Sequence, residues 1–354
     1  MLNQVLSQTA LSDADTAEPP FIRMARQTDL AQQLINARAW CYRSVQSLQN
    51  LKQSFAFTSR QTSTGKLTIG YLSGDFHDHA TAHLMRGVFG LHDRQKFQVY
   101  GYSYGPEDHS LYRQQIRRQS DHFMDIRQMS HIEAARRIYA DQVDILVDLK
   151  GHTQGARLGI PACRPAPIQV HFLGYPGTTG ADFIDYLITD KIVTPPEHAA
   201  FYSEKLVFLP HSYQVNDHQQ AIASRIWTKK EQGLPAKGFV FSSFNLPYKI
   251  DPLLFDRWMR ILHQVPGSVL WLYKADETAA KNLEREAKSR GIDPRRLVFA
   301  DKLPKAEHLA RLRLADLALD TRMVNGHTTT SDSLWAGVPV LTLKGEQFAA
   351  RVSA

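Results

Sequence analysis

Leu317-Ala318-Leu319, then Asn325-Gly326-His327-Thr328-Thr329-Thr330-Ser331-Asp332, then Leu334-Trp335-Ala336: this stretch reads as a buried strand, a tight glycine turn and a helix that opens on hydroxyl side chains. Unpaired backbone N–H groups at a helix start, a glycine permitting close approach and three threonine hydroxyls form a cradle suited to a diphosphate. The same residues also suit a plain capped helix, with Ser331 or one of the threonines as the cap.

Working outward, short apolar runs alternate with amphipathic stretches along most of the chain. Leu67-Leu72, Phe97-Tyr104, Val143-Leu149, Ile168-Leu173, Tyr186-Thr189 and Leu206-Leu209 read as strands, with helical patterns near His83–Leu91, Ser110–Arg118 and His131–Tyr139. After a stretch without this alternation, 211–237, the rhythm resumes with Phe239-Phe244, Val269-Leu272, Leu297-Phe299, Leu317-Leu319 and Val338-Leu341. Helices are expected around Asp256–Leu262, Thr278–Lys288, His308–Leu312 and Ser333–Trp335. Strands alternating with helices imply parallel sheets, hence two α/β domains in series. The predicted division is a polar tail and helical linker over 1–66, a first lobe over 67–210, a connection over 211–237 and a second lobe over 238–354.

The 354 residues suit roughly two domains, and 43% hydrophobic with 22% charged residues is the balance of a soluble globular protein. A net charge of +7 favours an acidic partner such as a nucleotide, yet Lys and Arg are interspersed with Asp and Glu. Clusters such as Arg113, Arg117 and Arg118 therefore read as solvated helix faces rather than a nucleic-acid stripe. Two cysteines, Cys41 and Cys163, make no disulfide framework and read as free thiols of a reducing cytoplasm. No membrane span and no signal peptide is expected.

In parallel sheets ligands bind beyond the carboxyl ends of strands, and the polar motifs fall there. After the first strand comes Gly74-Asp75-Phe76-His77-Asp78-His79-Ala80-Thr81-Ala82-His83. His79 suits general-base work, or with His77, His83 and Asp75 a metal site, although the spacing is no standard zinc spacing and no cysteine assists. His77 and His83 read as helix-start packing. Asp148-Leu149-Lys150-Gly151-His152-Thr153 and Tyr175-Pro176-Gly177-Thr178-Thr179-Gly180 end two further strands, where Asp148 or His152 suits orienting a substrate and Asp148 equally suits capping a helix. In the second half, Asn245-Leu246-Pro247-Tyr248-Lys249 places a lysine at a strand end, where an ammonium neutralises a departing phosphate. Lys305, His308, Arg311 and His327 bring further cations to strand ends, and jointly they point to phosphate binding.

The sequence resembles the catalytic region of the protein O-linked N-acetylglucosamine transferases and their Spindly-type relatives, glycosyltransferase family 41. The resemblance is carried by Gly74-Asp75-Phe76 with His79 and His83, Arg164-Pro165-Ala166-Pro167-Ile168-Gln169, Gly174-Tyr175-Pro176-Gly177-Thr178, Asp185-Tyr186, Tyr202-Ser203-Glu204, Tyr248-Lys249-Ile250-Asp251-Pro252, Val269-Leu270-Trp271-Leu272 and Asn325-Gly326-His327-Thr328-Thr329. It implies a GT-B type α/β fold, two Rossmann-like lobes facing a cleft, preceded here by a short helical segment. It implies transfer of N-acetylglucosamine from UDP-GlcNAc to Ser or Thr hydroxyls of an acceptor protein, without cofactor or metal; the cysteines, the lack of a span and the interspersed charges add the expectation of a cytoplasmic protein with neither nucleic acid nor membrane as partner.

Residue by residue, the resemblance makes His79 the active-site histidine and Lys249 the lysine on the donor diphosphate. Lys305, His308, Arg311, His327, Thr328, Thr329 and Asp332 become the rest of the nucleotide site. Leu246 stands where the best-known transferases have Gln, which weakens one uridine contact. The family's tetratricopeptide superhelix is missing upstream, as is the long insertion of animal members between lobes, and the second lobe is expected to be truncated after Arg351-Val352. Rival readings are fucose transfer from a guanosine diphosphate donor, glucose transfer to Asn, a metal-dependent hydrolase on the His77/His79/His83 group, and a non-catalytic nucleotide-binding fragment. An Asp-x-Asp, Asp13-Ala14-Asp15, lies in the tail and is discounted as a metal clamp.

Overall fold

A computed structural model describes residues 17–46, 55–57 and 65–354. Asp13-Ala14-Asp15 and most of the Ser/Thr-rich connector lie outside the described residues. The chain divides into two compact units between Gln219 and Gln220, a point inside the stretch read as the connection.

The first unit is built on seven parallel strands: β1 Leu67–Ser73, β2 Phe97–Ser103, β3 His122–Asp125, β4 Ile145–Asp148, β5 Ile168–His171, β6 Tyr186–Thr189 and β7 Lys205–Phe208. Their order is β3-β2-β1-β4-β5-β6-β7, so the winding reverses between β1 and β4, which pair with Leu72 opposite Asp148. One face packs Leu72, Tyr102 and Leu146 against Ile138 and Ile160. The preceding helix, Leu30–Val45, is capped by Asp29, which accepts from Gln32 N at 2.9 Å. Its Cys41 and Val45 pack on Leu158, Phe183 and Ile184, so this helix belongs to the first unit. Gly180 makes that seat: φ is +66°, and a Cβ there would meet the helix backbone at Arg38 N, 2.4 Å away.

Two differences from the sequence reading have clear causes. β3 has one polar residue at each end and no apolar run, so alternation never revealed it; it is an edge strand held by β2 alone. Arg113 is no solvated helix residue but is 2% exposed. Its guanidinium donates to Phe76 O (3.1 Å) and Ser103 Oγ (2.7 Å) and pairs with Glu107 (2.7 Å), partners that offset the cost of burying the charge. The expected helix His83–Leu91 is two pieces, Ala80–Met85 and Val88–Leu91.

The second unit holds five parallel strands, β8 Val240–Ser243, β9 Val269–Tyr273, β10 Leu297–Ala300, β11 Leu317–Leu319 and β12 Val340–Leu341, in the order β10-β9-β8-β11-β12. Period-two alternation on β9 explains its double burial: Leu270 and Leu272 join Phe241, Leu254 and Trp258 on one face, while Val269 and Trp271 join Val240, Leu309 and Leu312 on the other. Helix Pro252–Gln264 starts with proline at its first position and Asp251 as cap, accepting from Leu253 N and Leu254 N. Winding reverses between β8 and β11, the place where such sheets bind ligands.

Candidate active site

In the second unit the reversal point gathers two segments. β8 runs out into Phe244 and Asn245 and then a single 3₁₀ turn, Pro247–Lys249. β11 runs into a loop ordered by Asp320, whose carboxylate accepts from Thr321 N (2.8 Å), Gly326 N (2.6 Å) and Thr342 Oγ1 (2.7 Å). Three donors on one carboxylate fix the loop's path, and the loop delivers helix Thr328–Trp335. A Cβ on Gly326 would lie 2.5 Å from both Thr329 Oγ1 and Thr330 Oγ1, so only glycine lets the chain pass this close to the helix start.

No side chain caps this helix, neither Ser331 nor a threonine. Its first-turn N–H groups have no intrahelical acceptor. Lys249 Nζ stands beside them, donating to Asn325 O at 2.9 Å and Asn245 Oδ1 at 3.1 Å. Burial pushes the Lys249 ammonium down to about 8, with the Asp320 carboxylate opposing. His327 is pushed down to about 3 by burial and by Lys249, so its ring is neutral at pH 7.

Helix Lys305–Leu312 brings the remaining cations. Lys305 pairs with Asp332, both nearly buried, and burial raises the Asp332 carboxyl despite that partner. Asp332 thus anchors Lys305 rather than standing free. Arg311, 3% exposed, lies over the rings of Phe244 (5.2 Å) and Trp271 (5.9 Å) and donates to His308 Nδ1 at 3.1 Å. Burial, then the charges of Arg311 and Lys305, push His308 down to about 3. Its neutral ring stacks edge-on against Phe244 with centroids 4.8 Å apart, an aromatic surface of the kind a base or ribose packs on.

In the first unit the corresponding reversal point carries His79. The residue is the N-cap of helix Ala80–Met85, with Nδ1 accepting from Thr81 N at 3.2 Å and lying 3.6 Å from Asp75 Oδ2. With Nδ1 used as an acceptor, the neutral ring carries its proton on Nε2, a tautomer assigned from this network. Asp75 is itself held by Lys150 Nζ at 2.8 Å, a buried ion pair joining the ends of β1 and β4. His83 turns instead to Asp78 at 2.6 Å, and among the described residues no three His, Cys, Asp or Glu side chains converge as a metal-ligand set.

Asp148 caps no helix; it accepts from Gly151 N at 2.6 Å and faces His171 Nδ1 at 3.5 Å. His171 is fully buried, which favours the neutral ring, yet Asp148, Tyr175 O and Glu204 outweigh this and raise its pKa. His152 is buried with Nε2 on Thr179 O at 2.6 Å, while Thr178 and Thr179 bond Glu204. These groups therefore brace the loops. Sequence reasoning named Asp148, His152, Thr178 and Thr179 but missed His171, Asp320 and the structural use of Asn245, because their roles depend on the path the loops take after the strands and, for Asn245, on Thr329, 84 residues away.

Two doubly wound parallel α/β units, each with its polar cluster at the reversal point, define the GT-B class of glycosyltransferase fold. The chain matches Glycosyl transferase family 41 over residues 27–227 and 221–354, and it belongs to that family. It is 44% identical over 293 residues to the probable UDP-N-acetylglucosamine–peptide N-acetylglucosaminyltransferase SEC of Arabidopsis thaliana, covering 81% of this chain and 30% of that protein. It is 35% identical over 300 residues to the probable UDP-N-acetylglucosamine–peptide N-acetylglucosaminyltransferase SPINDLY of Oryza sativa subsp. japonica, covering 81% of this chain and 31% of that protein. A mutant O-GlcNAc transferase of Thermobaculum terrenum superposes with a TM-score of 0.82 at 31% identity, covering 93% of this chain and 62% of that one. The chain thus spans about a third of the length of these curated relatives.

Proposed function

We propose that this chain is the catalytic region of an inverting glycosyltransferase that moves N-acetylglucosamine from UDP-GlcNAc to Ser or Thr hydroxyls of a protein. The observation that carries the reading is the uncapped helix Thr328–Trp335 with the Lys249 ammonium fixed at its start. A hydroxyl attacks the anomeric carbon as the bond to the diphosphate breaks, its proton passes to the departing diphosphate or to solvent, and charge develops on the diphosphate. Lys249 and the helix N–H groups neutralise that charge, work done elsewhere by a divalent metal. Lys305, His308, Arg311 and His327 complete the nucleotide site, and Thr328, Thr329 and Asp332 shape it. In the proposed scheme His79, whose Nε2 carries the proton, orients the sugar or acceptor as a hydrogen-bond donor.

The printed names of the relatives support the donor sugar and the peptide acceptor. A cytoplasmic location belongs to the same proposal: both cysteines are free, and among the described residues no helix is long and apolar enough to cross a membrane. Thermal shift with uridine and guanosine diphosphates tests the site, since a ligand that binds the fold stabilises it by mass action. Uridine diphosphate should raise Tm, and Lys249→Ala should weaken its binding by about 1.5–3 kcal/mol. Preference for guanosine diphosphate would favour a fucose donor, and binding without transfer to peptide would reduce the chain to a nucleotide-binding module.

A further inference from the structure

Asn245, two residues beyond β8, is 6% exposed. Its Oδ1 accepts from Lys249 Nζ at 3.1 Å and from Thr329 Oγ1 at 3.0 Å, donors 80 residues apart in sequence. Two donors on one oxygen use both of its lone pairs and settle which way the amide faces. The depression at the ends of β8 and β11 is lined by Asn245, Ser243, Asp320 and Thr329. The Ser243 hydroxyl, 3% exposed, has no hydrogen-bond partner among the described residues, a cost the fold recovers when a ligand supplies one.

We infer that Asn245 is a positioning residue for the anion site, its amide oxygen holding the Lys249 ammonium and the Thr329 hydroxyl as one preorganised pair aimed at the donor's diphosphate. The inference rests on the proposed donor site and deepens it. Lys249 otherwise has four rotatable bonds and no carboxylate hydrogen-bonded to it, so an uncharged clamp fixes it without cancelling the positive charge the diphosphate needs. An aspartate in the same place would pair with the ammonium and repel the ligand. The groups facing Lys249 are the Asp320 carboxylate, the neutral His327 ring and the Asn325 carbonyl, so Asn245 supplies one of its two direct hydrogen bonds.

The test is a double-mutant cycle read by titrating uridine diphosphate and, separately, uridine. Asn245→Ala should lower affinity for the diphosphate about ten-fold or more and affinity for uridine less than about two-fold, and in the Lys249→Ala background the loss should shrink to the smaller share carried through Thr329. Removing the amide oxygen also disfavours the ammonium, so diphosphate affinity should fall off at lower pH than in the parent, a shift that loosened packing alone would not produce. Asn245→Ser, which retains a shorter acceptor, takes the place of the alanine variant if that one does not fold, with the same pattern expected. Equal losses with and without Lys249, or an unmoved pH midpoint, would overturn the inference. A parent protein that binds uridine diphosphate no tighter than uridine would instead overturn the donor-site reading beneath it.

Discussion

His79 illustrates how one hydrogen bond constrains chemistry. Its Nδ1 caps the helix Ala80–Met85 and lies near an Asp75 carboxylate already paired with Lys150. In the proposed scheme its neutral ring carries the proton on Nε2 and acts as a donor to a sugar or acceptor oxygen. His79→Ala should lower kcat roughly 10²-fold through lost positioning while leaving affinity for uridine diphosphate nearly intact. Steady-state kinetics alongside nucleotide titration read this directly, and parental turnover in a folded variant would remove His79 from the site. That this histidine stands just after the first strand was legible in the sequence. Its tautomer was not, because that depends on Thr81 N and on the turn the backbone takes.

At the scale of elements, the decisive unit is the strand–loop–helix from Leu317 to Trp335. Glycine suits 326 because the loop passes against Thr329 and Thr330, Asp320 accepts from Gly326 N to fasten the loop, and no side chain caps the helix. Gly326→Ala must displace the Thr329 and Thr330 hydroxyls, 2.5 Å from the added Cβ, and crowd Thr330 N at 3.1 Å, which disturbs the helix start. Positioning errors of about 1 Å typically cost on the order of 10²-fold in rate. We expect that variant to bind uridine diphosphate at least about ten-fold more weakly while keeping its circular dichroism, measured by titration on the same sample. The alternation of strands and helices was readable throughout the second unit, where every predicted strand overlaps an observed one. What escaped was β3, polar at both ends and stabilised by its neighbour's backbone rather than by its own pattern.

For the whole molecule, both units bury neutral histidines: His152 in the first, pushed down to about 4, and His308 and His327 in the second, pushed down to about 3. Unfolding frees each to its ordinary value near 6.5, so below that pH the unfolded chain binds more protons than the folded one. Their contribution is present above pH 6.5 and is lost as pH falls toward the folded values. His171, raised by Asp148, acts in the opposite sense in the first unit. Tm should therefore decline between pH 6.5 and 4.5, and His308→Phe should flatten that slope; a slope unchanged in the variant would contradict the burial argument. By itself the sequence determined the two α/β units and the strand ends at which polar residues collect, because strand and helix periodicity is a local consequence of which face must be buried. It also marked Lys249 and the threonine run, since an ammonium and a helix start carry their chemistry with them. Only the tertiary structure decided which of those polar groups are paired within the fold, Asp332 with Lys305 and Thr178 with Glu204. Such pairings join residues up to 84 positions apart, as Asn245 and Thr329 are, and a hydrogen bond at that separation exists only once the sheet has brought both segments to one edge.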